Sequence, residues 1–223
     1  MKSKWLIRNN SEKLIIFFNG WSLDENIVKH IKTSTYDVLM FYDYENFDIE
    51  QDVFVKIKKY NQINIIAWSF GVWACGEVIQ KFDNLKNVIA INGTFMPIDD
   101  NFGIPTKIFN LTLANLSDKT YPRFFANMFL NPEKKYKDGM PKRYIYNQKQ
   151  ELIRIKELYS AQNASKKFEY FNKVFISKND KIIPANNQIK FWTQNSSSHI
   201  FELNEGHCIF NDYNTWDELI NYE

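Results

Sequence analysis

Short runs of consecutive apolar residues, rich in β-branched and aromatic types, recur along the chain at 14–18, 37–41, 63–67, 88–92, 174–176 and 199–203. Continuous runs of this length, unlike strict alternation, predict strands covered on both faces. Between them lie stretches with apolar residues at helical spacing, notably 25–32, 49–60 and 72–81. Strand and helix in alternation predict an α/β fold with a mostly parallel central sheet flanked by helices.

The alternation stops after Asn92. From 105 to 167 the apolar positions follow helical spacing, as in YPRFFANMF and RYIYNQKQELIRIKELYSA, before a strand-like KVFISKND resumes. The expected organisation is one α/β core built from residues 1–104 and 168–223, carrying a helical lid insertion at 105–167. A length of 223 residues suits a single domain, and 7 Gly are too few for a flexible linker.

Charge is segregated between these parts. Residues 119–167 hold 12 Lys or Arg against 4 acids, a net +8, so the rest of the chain is at −6 and the whole at +2. A concentrated positive segment steers negatively charged partners; the plain alternative is a solvated helix face serving solubility. The basic segment matches no nucleic-acid-binding module, so no nucleic-acid role is expected. Aromatic residues make up 17% of the chain, enough to line an apolar pocket, although a Lys-, Asn-, Ile- and Phe-rich vocabulary also arises from an AT-rich genome.

The two apolar stretches near the amino terminus are split by Arg8, Asn9, Asn10, Glu12 and Lys13, so no signal-peptide core forms. No run approaches the roughly 18 apolar residues that span a bilayer. Cys75 and Cys208 are the only cysteines and form no CxxC spacing, which argues against a disulfide framework or a structural zinc site. A soluble, cytoplasmic protein without membrane association is expected.

The chemistry concentrates in INIIAWSFGVWACG, residues 63–76, where a buried strand runs through Ala67-Trp68-Ser69-Phe70-Gly71 into a helix. This is the pattern of a nucleophile elbow: a sharp turn exposes the serine hydroxyl, and small residues two positions either side let strand and helix pass closely. Ala67 stands where the full G-x-S-x-G pattern has its first glycine. A serine hydroxyl needs a base at neutral pH. Of the three histidines, His30 sits in an amphipathic stretch and reads as a surface residue, and His199 opens a strand. His207, in the loop after the last strand, follows serine and acid in the chain order of this fold.

Asp180, in the turn that ends KVFISKND, is the candidate for orienting the imidazole, with Glu205 the alternative. Two amides are needed for an oxyanion. Phe70, directly after the nucleophile, supplies one, and Trp21, in the Asn19-Gly20-Trp21 loop, is the candidate for the other. The rings of Trp21 and Trp68 equally suit ordinary core packing. Cys208 points away from its neighbour His207 on an extended chain and reads as a packing residue.

FFNGW near the start, the AWSFG elbow followed by VWACG, the NDKIIP turn and the terminal EGHC together resemble the BioG-type pimeloyl-acyl-carrier-protein methyl ester esterases of the α/β-hydrolase superfamily. The resemblance spans about 14–210. It implies removal of the methyl ester from pimeloyl-ACP methyl ester, giving pimeloyl-ACP and methanol in biotin precursor synthesis, with no metal or organic cofactor. By motif it makes Ser69 the nucleophile, His207 the base, Asp180 the acid, and the Trp21 and Phe70 amides the oxyanion hole. The partner is then an acidic acyl carrier protein, for which Arg123, Lys142, Arg143 and Arg154 of the lid are candidate contacts. Phe124 and Phe125, with Phe129, are candidates to line the acyl channel. An acyl thioesterase or small-ester carboxylesterase uses the same residues. A non-catalytic relic that binds an acidic partner has no chemical reason to keep all three of Ser69, His207 and Asp180.

Overall fold

Seven strands form one sheet in the order β1-β3-β2-β4-β5-β6-β7, where β1 is Lys2–Ile7, β2 Lys13–Phe18, β3 Asp37–Tyr42, β4 Gln62–Trp68, β5 Leu85–Ile91, β6 Lys173–Ser177 and β7 His199–Leu203. The structure, a computed structural model, describes residues 1–131, 140–161 and 167–222. All pairings are parallel except β1 with β3. The apolar runs of β2 and β4 are buried on both faces, as their lack of alternation predicts. Only β1 escapes the sequence pattern, because an antiparallel edge strand half in solvent carries no continuous apolar run.

Helix α1 is Gln51–Ile57 and α2 is Phe70–Val78, which starts two residues earlier than its apolar spacing suggests and packs on β4 and β2. The helix expected at 25–32 is a correction: only a 3₁₀ turn forms at Glu25–Ile27. The chain beyond it is drawn into a bridge, with the Lys32 amide on the Asn214 carbonyl and the Trp216 amide on the Lys32 carbonyl. Between β5 and β6 come α3, Thr106–Asn115, α4, Tyr121–Ala126, and α5, Ile145–Ser160, joined among the described residues by turns and irregular segments. Helix α6, Ala185–Asn195, and α7, Trp216–Ile220, complete the chain. No helix among the described residues is long and apolar enough to cross a membrane.

Strand register positions the chemistry. Phe18 pairs with Ala67, Trp68 with Ile91, Ile91 with Phe175, and Ser177 with Leu203, so the carboxyl ends of five parallel strands lie level. The residues that follow, including Asn19, Ser69, Asn92, Asp180 and His207, emerge at that one edge, where parallel sheets gather their ligands.

Candidate active site

Ser69 sits between β4 and α2 with φ 57° and ψ −126°, a left-handed conformation that a side chain adopts at a cost of about 1–3 kcal/mol. The turn is forced by close backbone passage on both sides. A Cβ at Gly71 would lie 2.3 Å from the Phe18 carbonyl oxygen, and one at Gly93 would lie 2.4 Å from the Ser69 carbonyl oxygen. The methyl of Ala67 is fully buried between Phe18 and Ala90, so the place of the missing glycine tolerates one carbon.

His207 is almost fully buried, with Nε2 2.9 Å from Ser69 Oγ and Nδ1 2.8 Å from Asp180 Oδ2. The structure thus joins the three residues singled out from sequence into one hydrogen-bonded chain. Asp180 is fixed in turn: Oδ1 accepts the amides of Ile182 at 2.8 Å and Ile183 at 2.9 Å, and Oδ2 also accepts Gln188 Nε2 at 3.0 Å. These donors come from the NDKIIP turn and from α6, so the carboxylate's orientation is settled before any substrate arrives. Glu205, half-buried two residues from His207, holds the adjoining turn through its backbone, its carbonyl accepting the Asn179 amide at 3.1 Å.

The His207 loop is held from behind by residues the sequence did not single out for the task. The His207 carbonyl accepts Trp68 Nε1 at 2.9 Å and Asn92 Nδ2 at 2.8 Å. The same Nδ2 also lies 2.8 Å from Ser177 Oγ, and Asn92 Oδ1 accepts the Ser177 amide at 2.7 Å. Asn92 has φ 45°, a conformation Asn tolerates better than most residues. Its only signal in the sequence is a polar residue ending an apolar run. Next along, the Cys208 amide donates to the Met128 carbonyl at 2.7 Å. Burial pushes the Cys208 thiol up to about 12, which fits a packing role. His30 is half-buried against the Phe210 carbonyl at 2.9 Å and His199 is exposed, neither of them at the site.

Among the described residues, neither the Trp21 nor the Phe70 amide donates to a protein acceptor. The Gly20 amide is already used by Asn19 Oδ1 at 2.9 Å. The Trp21 indole reaches the lid, donating from Nε1 to the Gln148 carbonyl of α5 at 2.8 Å and meeting Phe124 edge-on at 5.2 Å. On the other side Tyr44 Oη donates to the Asn19 carbonyl at 2.6 Å. Ser69, His207, Trp21 and Phe70 line a cavity of about 130 Å³ whose other walls include Phe109, Phe124, Met128, Leu152 and Ile182.

The lid candidates divide. Phe124 lines the cavity, but Phe125 does not: it is buried on the other flank of α4 against Phe129, at 5.2 Å, and Tyr121. Arg143 is also a correction. Its guanidinium is nearly buried, 2.7 Å from Glu151 Oε2 and 3.1 Å from Asp43 Oδ1, so it ties α5 to the turn after β3 and offers no free surface charge. Arg154 is exposed but engaged with Glu157 and the Glu45 carbonyl, whereas Arg123 and Lys142 are exposed. Of the basic segment, Lys134, Lys135, Lys137 and Lys166 lie outside the described residues.

Residues 1–219 match the model of the family described as pimeloyl-ACP methyl esterase BioG. The crystal structure of BioG from Haemophilus influenzae superposes with a TM-score of 0.89 at 29% identity, covering 99% of this chain and 100% of that one. An esterase from Exiguobacterium antarcticum shares the fold with a TM-score of 0.61 at 12% identity, covering 95% and 89%. The fold is therefore that of the α/β-hydrolases. A Bacteroides fragilis protein named malonyl-[acyl-carrier protein] O-methyltransferase is 35% identical over 184 residues. That match takes in 81% of this chain and 36% of the relative, so the chain spans about a third of that protein's length.

Proposed function

Because the chain belongs to the pimeloyl-ACP methyl esterase BioG family, we propose that it hydrolyses the methyl ester of pimeloyl-ACP methyl ester, with Ser69 as nucleophile. The observation that carries this reading is the continuous chain of hydrogen bonds from Ser69 Oγ through His207 to Asp180 at the wall of an apolar cavity.

Ser69 Oγ attacks the ester carbonyl as its proton passes to His207 Nε2, and Asp180 stabilises the imidazolium that forms. The developing oxyanion takes the free amides of Phe70 and Trp21, each worth about 10²-fold or more in rate at such sites. Collapse of the tetrahedral intermediate expels methoxide, which takes the proton from Nε2 and leaves as methanol. Water, deprotonated by the same nitrogen, then cleaves the acyl-serine and releases the ω-carboxylate on its carrier. The name of the Bacteroides relative supports methyl-ester chemistry on a carrier, since an O-methyltransferase of malonyl-ACP makes the kind of bond that this reaction breaks.

The acyl carrier bears two bonds a serine hydrolase can cut, the methyl ester and the thioester. Purified protein given pimeloyl-ACP methyl ester is expected to release methanol and no free thiol. Thiol release without methanol would replace this substrate assignment with a thioesterase.

A further inference from the structure

The Trp21 amide, one of the two proposed oxyanion donors, stands behind a flexible joint. It follows Gly20, and a glycine turns about its backbone bonds with less steric restriction than any other residue. A donor stabilises a developing charge only if it is aimed before the charge appears. The peptide unit that leads into the joint joins Asn19 to Gly20, and because it is planar it moves as one body. Whatever fixes that unit fixes the starting point of the Trp21 N–H.

Both polar groups of the unit are pinned. Its carbonyl, that of Asn19, accepts Tyr44 Oη at 2.6 Å, and its N–H, that of Gly20, donates to Asn19 Oδ1 at 2.9 Å. The Tyr44 hydroxyl has a longer contact to the Phe41 carbonyl, at 3.3 Å. Asn19 is held in turn, with its amide on the Phe41 carbonyl at 2.9 Å and its Nδ2 on the Asp24 carbonyl at 3.1 Å. Helix α2 closes on the same Asn19 oxygen, since a Cβ at Gly71 would lie 2.7 Å from it. Gly71 follows Phe70, whose amide is the other proposed donor. The Asn19 carbonyl thus lies where the two donor-bearing segments meet.

Tyr44 is fully buried just after β3 and does not line the cavity. Its own amide donates to Glu151 Oε1 of α5 at 3.0 Å. On the other side of Gly20 the loop is held by different elements: Trp21 Nε1 donates to the Gln148 carbonyl, Ser22 Oγ lies 3.1 Å from Tyr121 Oη of α4, and Asp24 Oδ2 accepts the Lys142 amide at 2.7 Å. Before the joint, the hydroxyl of Tyr44 is the side-chain group on the Asn19 carbonyl.

We propose that Tyr44 is a positioning residue for catalysis: through the Asn19 carbonyl it fixes the Asn19–Gly20 peptide and so aims the Trp21 amide at the oxyanion, an inference that rests on the serine-esterase reading above. An oxyanion donor acts on the tetrahedral state and little on the bound ester, so its misalignment lowers kcat and spares KM.

The test compares wild type with Tyr44→Phe, which removes one hydroxyl from outside the cavity lining. With methyl hexanoate, Tyr44→Phe is expected to lower kcat about 10-fold or more and to leave KM within about 2-fold. Hexylboronic acid forms a tetrahedral adduct on a serine hydroxyl, with a boron-bound oxygen in the oxyanion position, and is expected to bind more weakly by a similar factor. A merely structural role would lower the thermal transition and leave kcat and boronic acid binding of the folded variant unchanged; that result overturns the proposal, as does a fall in kcat with boronic acid binding unaltered. If Tyr44→Phe does not fold, Asn19→Ala releases the other end of the same peptide and is expected to show the same split, full kcat there being the contrary result. Wild-type protein that neither hydrolyses methyl hexanoate nor binds hexylboronic acid overturns the serine-esterase reading itself.

Discussion

Asn92 Nδ2 donates to the carbonyl of His207 at 2.8 Å while its own Oδ1 accepts the Ser177 amide at 2.7 Å. One buried side chain therefore ties the His207 loop to the strand that leads to Asp180. A catalytic pair displaced by about 1 Å loses on the order of 10²-fold in rate. Asn92→Gly, which accepts the positive φ but has no side chain, is expected to lower kcat about 10-fold or more with KM nearly unchanged. Full kcat in that variant would show that the His207 loop holds its place without Asn92.

Trp21 couples α5 to the Asn19-Gly20-Trp21 loop, whose Trp21 amide is the proposed oxyanion donor, through its indole bond to Gln148. Trp21→Phe keeps an aromatic ring in the cavity wall and removes that donor. Its stability cost is expected to be about 1 kcal/mol, with a larger fractional loss in kcat than in binding, because an oxyanion donor acts in the transition state. Steady-state kinetics on a small methyl ester and thermal denaturation separate the two effects.

Arg143 and Arg154 should behave oppositely to what their shared charge suggests. Arg143→Met leaves Glu151 buried without its cation and Asp43 with Lys2 alone, for an expected loss of about 3 kcal/mol or more. Arg154→Ala breaks exposed contacts worth about 1 kcal/mol or less. Chemical denaturation of both variants checks this, and an equally mild effect of Arg143→Met would remove its proposed role as an anchor of the lid.

Both cysteines are fully buried, and burial raises their thiols, Cys208 to about 12 and Cys75 well above its ordinary value. A raised thiol stays protonated, and the reactive thiolate is scarce. Iodoacetamide at pH 8 is therefore expected to leave the folded protein unmodified and fully active. Rapid inactivation with alkylated Cys208 would mean that the His207 loop opens in solution.

The parts legible in the sequence share one physical property: they are local. The runs at 14–18 and 63–67 become central strands because a strand buried on both faces is apolar at every position. Ser69 announces itself because strand, small residues and helix surround it within a few positions. His207 and Asp180 follow from chain order once the elbow is placed. The rest depends on partners distant in sequence. Lys2–Ile7 becomes a strand only because β3 offers it an edge, and 25–32 fails to become a helix because Asn214 and Trp216 compete for its backbone at Lys32. The burial of Arg143 depends on Asp43, 100 positions away, and Asn92 reaches His207 across 115. No local pattern distinguishes such residues from ordinary surface arginines or turn asparagines.

The most direct test of the central claim is methanol release from pimeloyl-ACP methyl ester by wild-type protein and by Ser69→Ala, with folding of the variant checked by its thermal transition. Release by wild type, with a loss of about 10⁴-fold or more in the variant, is the predicted result. Comparable release by a folded Ser69→Ala protein would contradict the assignment of Ser69 as nucleophile.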